Sequence, residues 1–247
     1  MLSGKVGCTI LGQSWKKSQP PVLARSATYN AFLSLDRSPM VRRIDLNGRA
    51  MSDYSAKLNI PVPETFDLLL SRRSGSAKAM KGPGPNPDQL RRILASAVRV
   101  PDHGKLTPWR FILFEGDGRQ RMGAILAEII AGERDTSPER IEQERNRFMR
   151  APLIVGVVSR AREQIPIPVW EQQLSAGAVC MTMVIAAHAM GFVANWITEW
   201  CAYHPLVLER IGLKTTERIA GYIYIGQAAD ALEDRPRPAI ESITTRF

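Results

Sequence analysis

One histidine and one aspartate lie between two prolines in RVPDHGKLTPWRF, residues 99–111. A histidine beside a carboxylate is the raw material of a general base or a metal ligand. Neither use finds a second element in the chain. His103, His188 and His204 are far apart, with no cysteine or carboxylate partner at ligand spacing, so no metal site is expected. There is no HExxH, no GxSxG elbow and no GxGxxG after a strand, and GPGPNP lacks the GK[ST] of a phosphate loop. Pro101 keeps Arg99 and His103 off a common helical face. The pair should therefore flank a bend, with Asp102 capping or orienting the loop.

Three other stretches offer chemistry. SRRSGS (71–76) closes a helical pattern with Arg72, Arg73 and Ser74. These residues either complement the helix macrodipole or form a guanidinium fork and hydroxyl that hold a phosphate. RPRP (235–238) sets Arg235 and Arg237 in a loop stiffened by proline. NWIT (195–198) places Trp196, Ile197 and Thr198 at the end of a strand. His188 reads as a satisfied interior residue, and Glu171 and Gln172 as caps of the helix they begin.

The elements that must position these residues are punctuated from residue 63 onward. PETFDLLLSRR reads as a short helix with Phe66, Leu69 and Leu70 on one face. Pro87 opens a helix, DQLRRILASAVR, and WRFILFEG is a strand ending at Gly116–Gly118. Helices follow over 119–131 and from the Ser137 N-cap to about Met149. PLIVGVVS is a buried strand. WEQQLSAGAVCMTMVIAAHAM, apolar nearly all round, is a central helix. GFVANWIT and IAGYIYIG are strands, HPLVLERIG is a short helix, and IESITTRF is a β-prone tail. This mixed order predicts an α+β sandwich rather than a βαβ repeat.

Composition narrows the partners. The chain has 247 residues, 45% of them hydrophobic and 23% charged, enough for one sizeable domain with an appendage. No apolar run approaches the roughly 20 residues that span a bilayer, so no membrane association is expected. Cys8, Cys180 and Cys201 are odd in number and form no CxxC pair, which points to a reducing compartment, the cytoplasm. The net charge of +9 is uneven: residues 1–60 hold nine of the 33 Lys/Arg and three of the 24 Asp/Glu, or +6, leaving +3 for the rest. Nucleic acid would need its cationic surface within the folded body, so no nucleic-acid partner is expected. Residues 1–60 are predicted to be a poorly ordered basic extension and 61–247 the folded domain. An organellar transit peptide, or a true start at Met51, is also open for the extension.

Taken in order, these segments resemble the flavin-dependent nitroreductase family. RRS after a first short helix, PDHGKLTPWRF, PLIVGVV, WEQ-x-x-SAG, GFVANWIT and YIYIG occur in that family's order over residues 63–247. The likeness is greatest to small bacterial members with a PDH-x-x-x-PW-x-F pattern. The resemblance implies a central, mostly antiparallel sheet flanked by helices and a homodimer that exchanges terminal segments. FMN would sit at the interface between the two chains. Arg72, Arg73 and Ser74 would match phosphate and ribityl contacts, and Arg99 and His103 would reach the partner chain's flavin. Trp196, Ile197 and Thr198 would run along the isoalloxazine ring, and Arg235 or Arg237 would add a phosphate ligand. The implied activity is ping-pong reduction of nitroaromatic, quinone or similar acceptors by NADH or NADPH, with no catalytic side chain required. The alternative is a flavin-binding module, for storage or sensing, without turnover.

Overall fold

The computed structural model describes residues 61–247 except Ala79; the expected basic extension over 1–60 lies outside the described residues. Five strands form the sheet: β1 (Met80–Lys81), β2 (Trp109–Phe114), β3 (Leu153–Ser159), β4 (Val193–Ile197) and β5 (Arg218–Ala228). Every pairing is antiparallel. β5 is the hub, joined to β3, β4 and β1, and β2 lies beyond β3. Among the described residues no strand pairs with the outer edge of β2.

Helices cover both faces of this sheet. They are α1 (Pro63–Ser71), α2 (Pro87–Ala97), α3 (Asp117–Ala131), α4 (Pro138–Arg145), α5 (Val169–Ala189) and α6 (Pro205–Arg210). Successive residues of a strand point to opposite faces, and β5 divides its side chains accordingly. Ile223 and Ile225 join Leu90 and Ile93 of α2 and Val179 and Met183 of α5 in one core. Tyr222 and Tyr224 join Met122 and Leu126 of α3 and Phe148 in the other. β3, buried at all seven positions, serves both cores. That double burial is why its sequence is a continuous apolar run rather than an alternation.

Several element boundaries differ from those predicted. α4 stops at Arg145, short of Met149, and a 3-10 turn (Arg147–Arg150) follows. Asn146 donates its side-chain amide to the Glu142 carbonyl at 3.0 Å, and Phe148 then turns into the second core. The β-prone tail has no strand partner among the described residues. It forms a 3-10 turn at Ile240–Ile243, and every residue from Ala231 onward is exposed. α1 forms where expected, but it buries none of its residues. Phe66, Leu69 and Leu70 are 65%, 45% and 73% exposed.

β5 also carries a bulge. Val157 pairs with Gly221 and Val158 with Ile219, so Ala220 has no partner on β3. Such an insertion bends a strand and frees a carbonyl for another use.

Candidate functional site

The two ends of the folded body meet in a cluster of arginines. α1 ends in extended backbone at Arg72, which carries Arg72, Arg73 and Ser74 clear of the helix. The Arg72 guanidinium reaches the Ser74 hydroxyl at 3.4 Å. Arg73 Nε donates to the Glu233 carbonyl at 2.7 Å and lies 3.7 Å from the Asp234 carboxylate. Arg237 pairs with the same carboxylate at 3.0 Å and donates to the Arg235 carbonyl. Burial, followed by the charges of Arg237, Arg73 and Arg235, holds the Arg72 pKa below its ordinary value. Arg72 Nε is buried and has no hydrogen-bond partner among the described residues. Four guanidiniums against one carboxylate, one of them with an orphaned donor, make a site that calls for an anion.

The NWIT stretch adjoins this cluster. Asn195 Nδ2 donates to the Gly75 carbonyl at 2.7 Å, tying the start of β4 to the chain just after Ser74. His188, near the end of α5, accepts the Ala194 N–H at Nε2, 3.1 Å away. Burial first, and the Arg72 charge second, push its pKa down to about 4. His188 is therefore neutral near pH 7, and its hydrogen sits on Nδ1, which is buried and unpartnered among the described residues. An interior histidine was expected; its open donor beside the arginine cluster was not.

Trp196 is seated by the bulge. Its Nε1 donates to the freed Ala220 carbonyl at 3.0 Å. The indole lies across Gly221, where a Cβ would stand 2.0 Å from Nε1 and 2.3 Å from Cδ1. Gly221 lies diagonal to Trp196, since Trp196 pairs with Ile223, and diagonal neighbours on one face are within reach of aromatic side chains. The ring remains 39% exposed, a partly open wall. Ile197 and Thr198 continue the segment and are half-buried.

Asp102 organises its loop as expected: its two carboxylate oxygens accept the N–H groups of Leu106 (3.0 Å) and Thr107 (2.9 Å). His103 opens a short 3-10 turn (His103–Lys105). Its Nδ1 lies 2.7 Å from Glu171 Oε2 on α5, the carboxylate partner that local spacing does not show. Glu171 is thus more than the helix cap predicted for it. Gln172 differs as well. It is buried and pins the preceding connection, accepting from Arg162 N–H and donating to the Arg162 and Ile167 carbonyls, each at 2.9 Å. Arg99 is exposed, two residues beyond α2.

The predicted site residues fall into two groups within one chain. Arg72, Arg73, Ser74, Arg235, Arg237 and the Trp196–Thr198 segment belong to one. His103, with Arg99 four residues before it, belongs to the other. Glu171 and His188 mark the two neighbourhoods on α5, and seventeen residues of helix separate them by about 25 Å at 1.5 Å per residue.

Other polar chemistry in the fold is structural. Arg110 grips Glu217 with two hydrogen bonds of 2.9 and 2.8 Å, and Arg147 joins Glu144 and Glu199. Burial pushes the thiols of Cys180 and Cys201 up to about 12, which removes them as nucleophiles. Among the described residues no three His, Cys, Asp or Glu side chains gather as a metal site. No helix there is long and apolar enough to cross a membrane.

An antiparallel sheet between two helical layers, with a cluster of arginines where the ends of the body meet, defines an α+β sandwich type of protein. The Nitroreductase family model matches residues 69–227, and the chain belongs to that family, as an oxidoreductase. Among relatives, Escherichia coli (strain K12) YdjA is provisionally named an NAD(P)H nitroreductase. It is 39% identical over 165 residues, 66% of this chain and 87% of that protein. A nitroreductase-like family protein from Bacillus cereus superposes with a TM-score of 0.65 at 23% identity, covering 76% of this chain and 98% of its own. An FMN-bound nitroreductase from Bacteroides fragilis gives 0.57 at 19%, covering 74% and 99%.

Proposed function

We propose that the protein is an FMN-dependent oxidoreductase that uses NADH or NADPH to reduce nitroaromatic, quinone or similar electron-poor acceptors by ping-pong turnover. The observation that carries this is the arginine cradle with the orphaned Arg72 Nε. An FMN phosphate brings about −1.5 to −2 charges near neutral pH, and Arg72, Arg73 and either Arg235 or Arg237 would neutralise it, with Ser74 as a hydroxyl donor. Bound FMN would supply the hydride chemistry, taking hydride from the nicotinamide and passing it to the acceptor. Trp196, Ile197 and Thr198 would wall the ring system and offer backbone N–H groups to it. No side chain is required as an obligate proton donor, because water reaches an open cleft. Residues 61–247 would form this body and 1–60 an extension; the buried thiols suit a reducing compartment, the cytoplasm.

The site is completed in a homodimer. His103, paired with Glu171, stands about 25 Å along α5 from His188 beside the cradle of its own chain, so it and Arg99, four residues before it, would serve the flavin of the partner. The bare apolar face of α1, the exposed tail from Ala231 and the open edge of β2 are surfaces that a second copy would cover.

The purified protein should be yellow and bleach on addition of NADPH. Arg72→Ala should weaken FMN binding about tenfold to a hundredfold while leaving riboflavin, which lacks the phosphate, nearly unaffected. Colourless protein that takes up no added FMN, or an equal loss for both flavins, refutes the assignment.

A further inference from the structure

The loop that carries His103 departs from ordinary backbone geometry. Gly104 has φ 70°, while Lys105 and Thr107 sit at 53° and 47°; positive φ strains any side chain and a β-branched one most. Such geometry persists where surrounding contacts over-determine it, and it clusters at functional sites. The contacts here are explicit. Both carboxylate oxygens of Asp102 hold backbone N–H groups. The Ser175 hydroxyl, one turn beyond Glu171 on α5, donates to the Pro101 carbonyl at 2.7 Å. A Cβ at Gly104 would stand 2.6 Å from Ile167 Cδ1, in the connection that Gln172 pins.

The remaining contact, His103 to Glu171, has a different character. The two side chains are 67% and 46% exposed, and exposed pairs add little to stability. What the pair supplies is direction. A carboxylate only accepts, so Nδ1 must carry a hydrogen, and Nε2 is left free with its lone pair, or with a second N–H when the ring is charged.

We infer that Glu171 is a positioning residue for His103: its carboxylate fixes the imidazole tautomer and holds Nε2 outward, ready for the cofactor of a partner chain. This rests on the dimeric FMN assignment above and deepens it. The strained backbone sets where the ring stands, and Glu171 sets how it is turned and which nitrogen it presents. The sequence separation of 68 residues places the two groups on different elements, so ring orientation reports how well the loop is docked on α5.

The test uses full-length protein labelled with 15N-histidine, at a pH where the ring is neutral, with His103 identified from the resonance lost in His103→Ala. Long-range 1H–15N spectra should show the hydrogen on Nδ1 in the wild type. It should move toward Nε2 in Glu171→Ala and return to Nδ1 in Glu171→Gln, whose amide oxygen still accepts. FMN dissociation constants complete a cycle. Glu171→Ala should weaken FMN about threefold to fivefold when His103 is present and leave the His103→Ala protein unchanged. A tautomer that ignores Glu171→Ala, or equal FMN loss in both backgrounds, overturns the inference. The tautomer is read without flavin; wild-type protein that takes up no FMN instead overturns the functional assignment.

Discussion

Gly221→Ala tests whether the bulge of β5 truly seats Trp196. The three atoms nearest to an added Cβ all belong to that indole, at 2.0, 2.3 and 3.1 Å, so the ring must leave rather than adjust. Overpacking of this kind costs about 1–3 kcal/mol, and loss of the Nε1 hydrogen bond to Ala220 adds about 1 kcal/mol. The total of about 2–4 kcal/mol lowers the melting temperature by roughly 5–15 °C for a domain of this size. Thermal unfolding by circular dichroism measures it, and tryptophan fluorescence should report a more solvated ring. Trp196→Ala provides the control: in that background Gly221→Ala should cost less than about 0.5–1 kcal/mol. An equal cost in both backgrounds, or an unchanged melting temperature, would show that the indole does not occupy this space and would refute the reasoning.

Three further predictions concern acid and assembly. Glu217 is held down to about 2, chiefly by its hydrogen bonds from Arg110. Its contribution, about 1–3 kcal/mol, is complete above the ordinary carboxylate value of 4.5 and is lost as pH falls toward 2. Urea unfolding of Glu217→Gln should lack that segment of the pH profile; a wild-type gap constant across the window argues otherwise. His188 adds an earlier loss. The unfolded chain takes up a proton below about 6.5 and the folded one only near 4, so His188→Gln should flatten the profile between those values by about 1–2 kcal/mol. Leu70→Asp on the bare face of α1 should leave the far-ultraviolet spectrum intact, since α1 buries no residue. It should shift the sedimentation coefficient from dimer to monomer and release flavin, and an unchanged mass would exclude that face from the interface.

Local pattern was enough for most elements, because burial imposes it directly. β3 reads as a strand since both its faces are covered; α5, apolar nearly all round, buries a single stripe from Gln172 to Ala187, and its other positions are half-buried or exposed. The arginine cluster was legible only in halves. SRRSGS and RPRP each look like solvated charge, and Arg73 meets Glu233 across 160 residues. The His103–Glu171 pair left no local signal for the same reason. The bulge at Ala220 escaped because alternation in IAGYIYIG is nearly regular, and only the register against β3 shows the extra residue. The tail misled because β propensity is realised only beside a partner strand, and among the described residues the tail lies against none.

The span between Arg73 and Asp234 bears on how the protein is made. β5 ends at Ala228, ahead of Asp234, Arg235 and Arg237, so the sheet can close before these residues emerge, while the cluster cannot form until they have. Contacts of such long range form late, and synthesis proceeds from the amino end. A chain cut short after the sheet would therefore keep the strands and lose the Asp234, Arg235 and Arg237 half of the cluster. The arginine cluster is a contact made after the sheet, not with it.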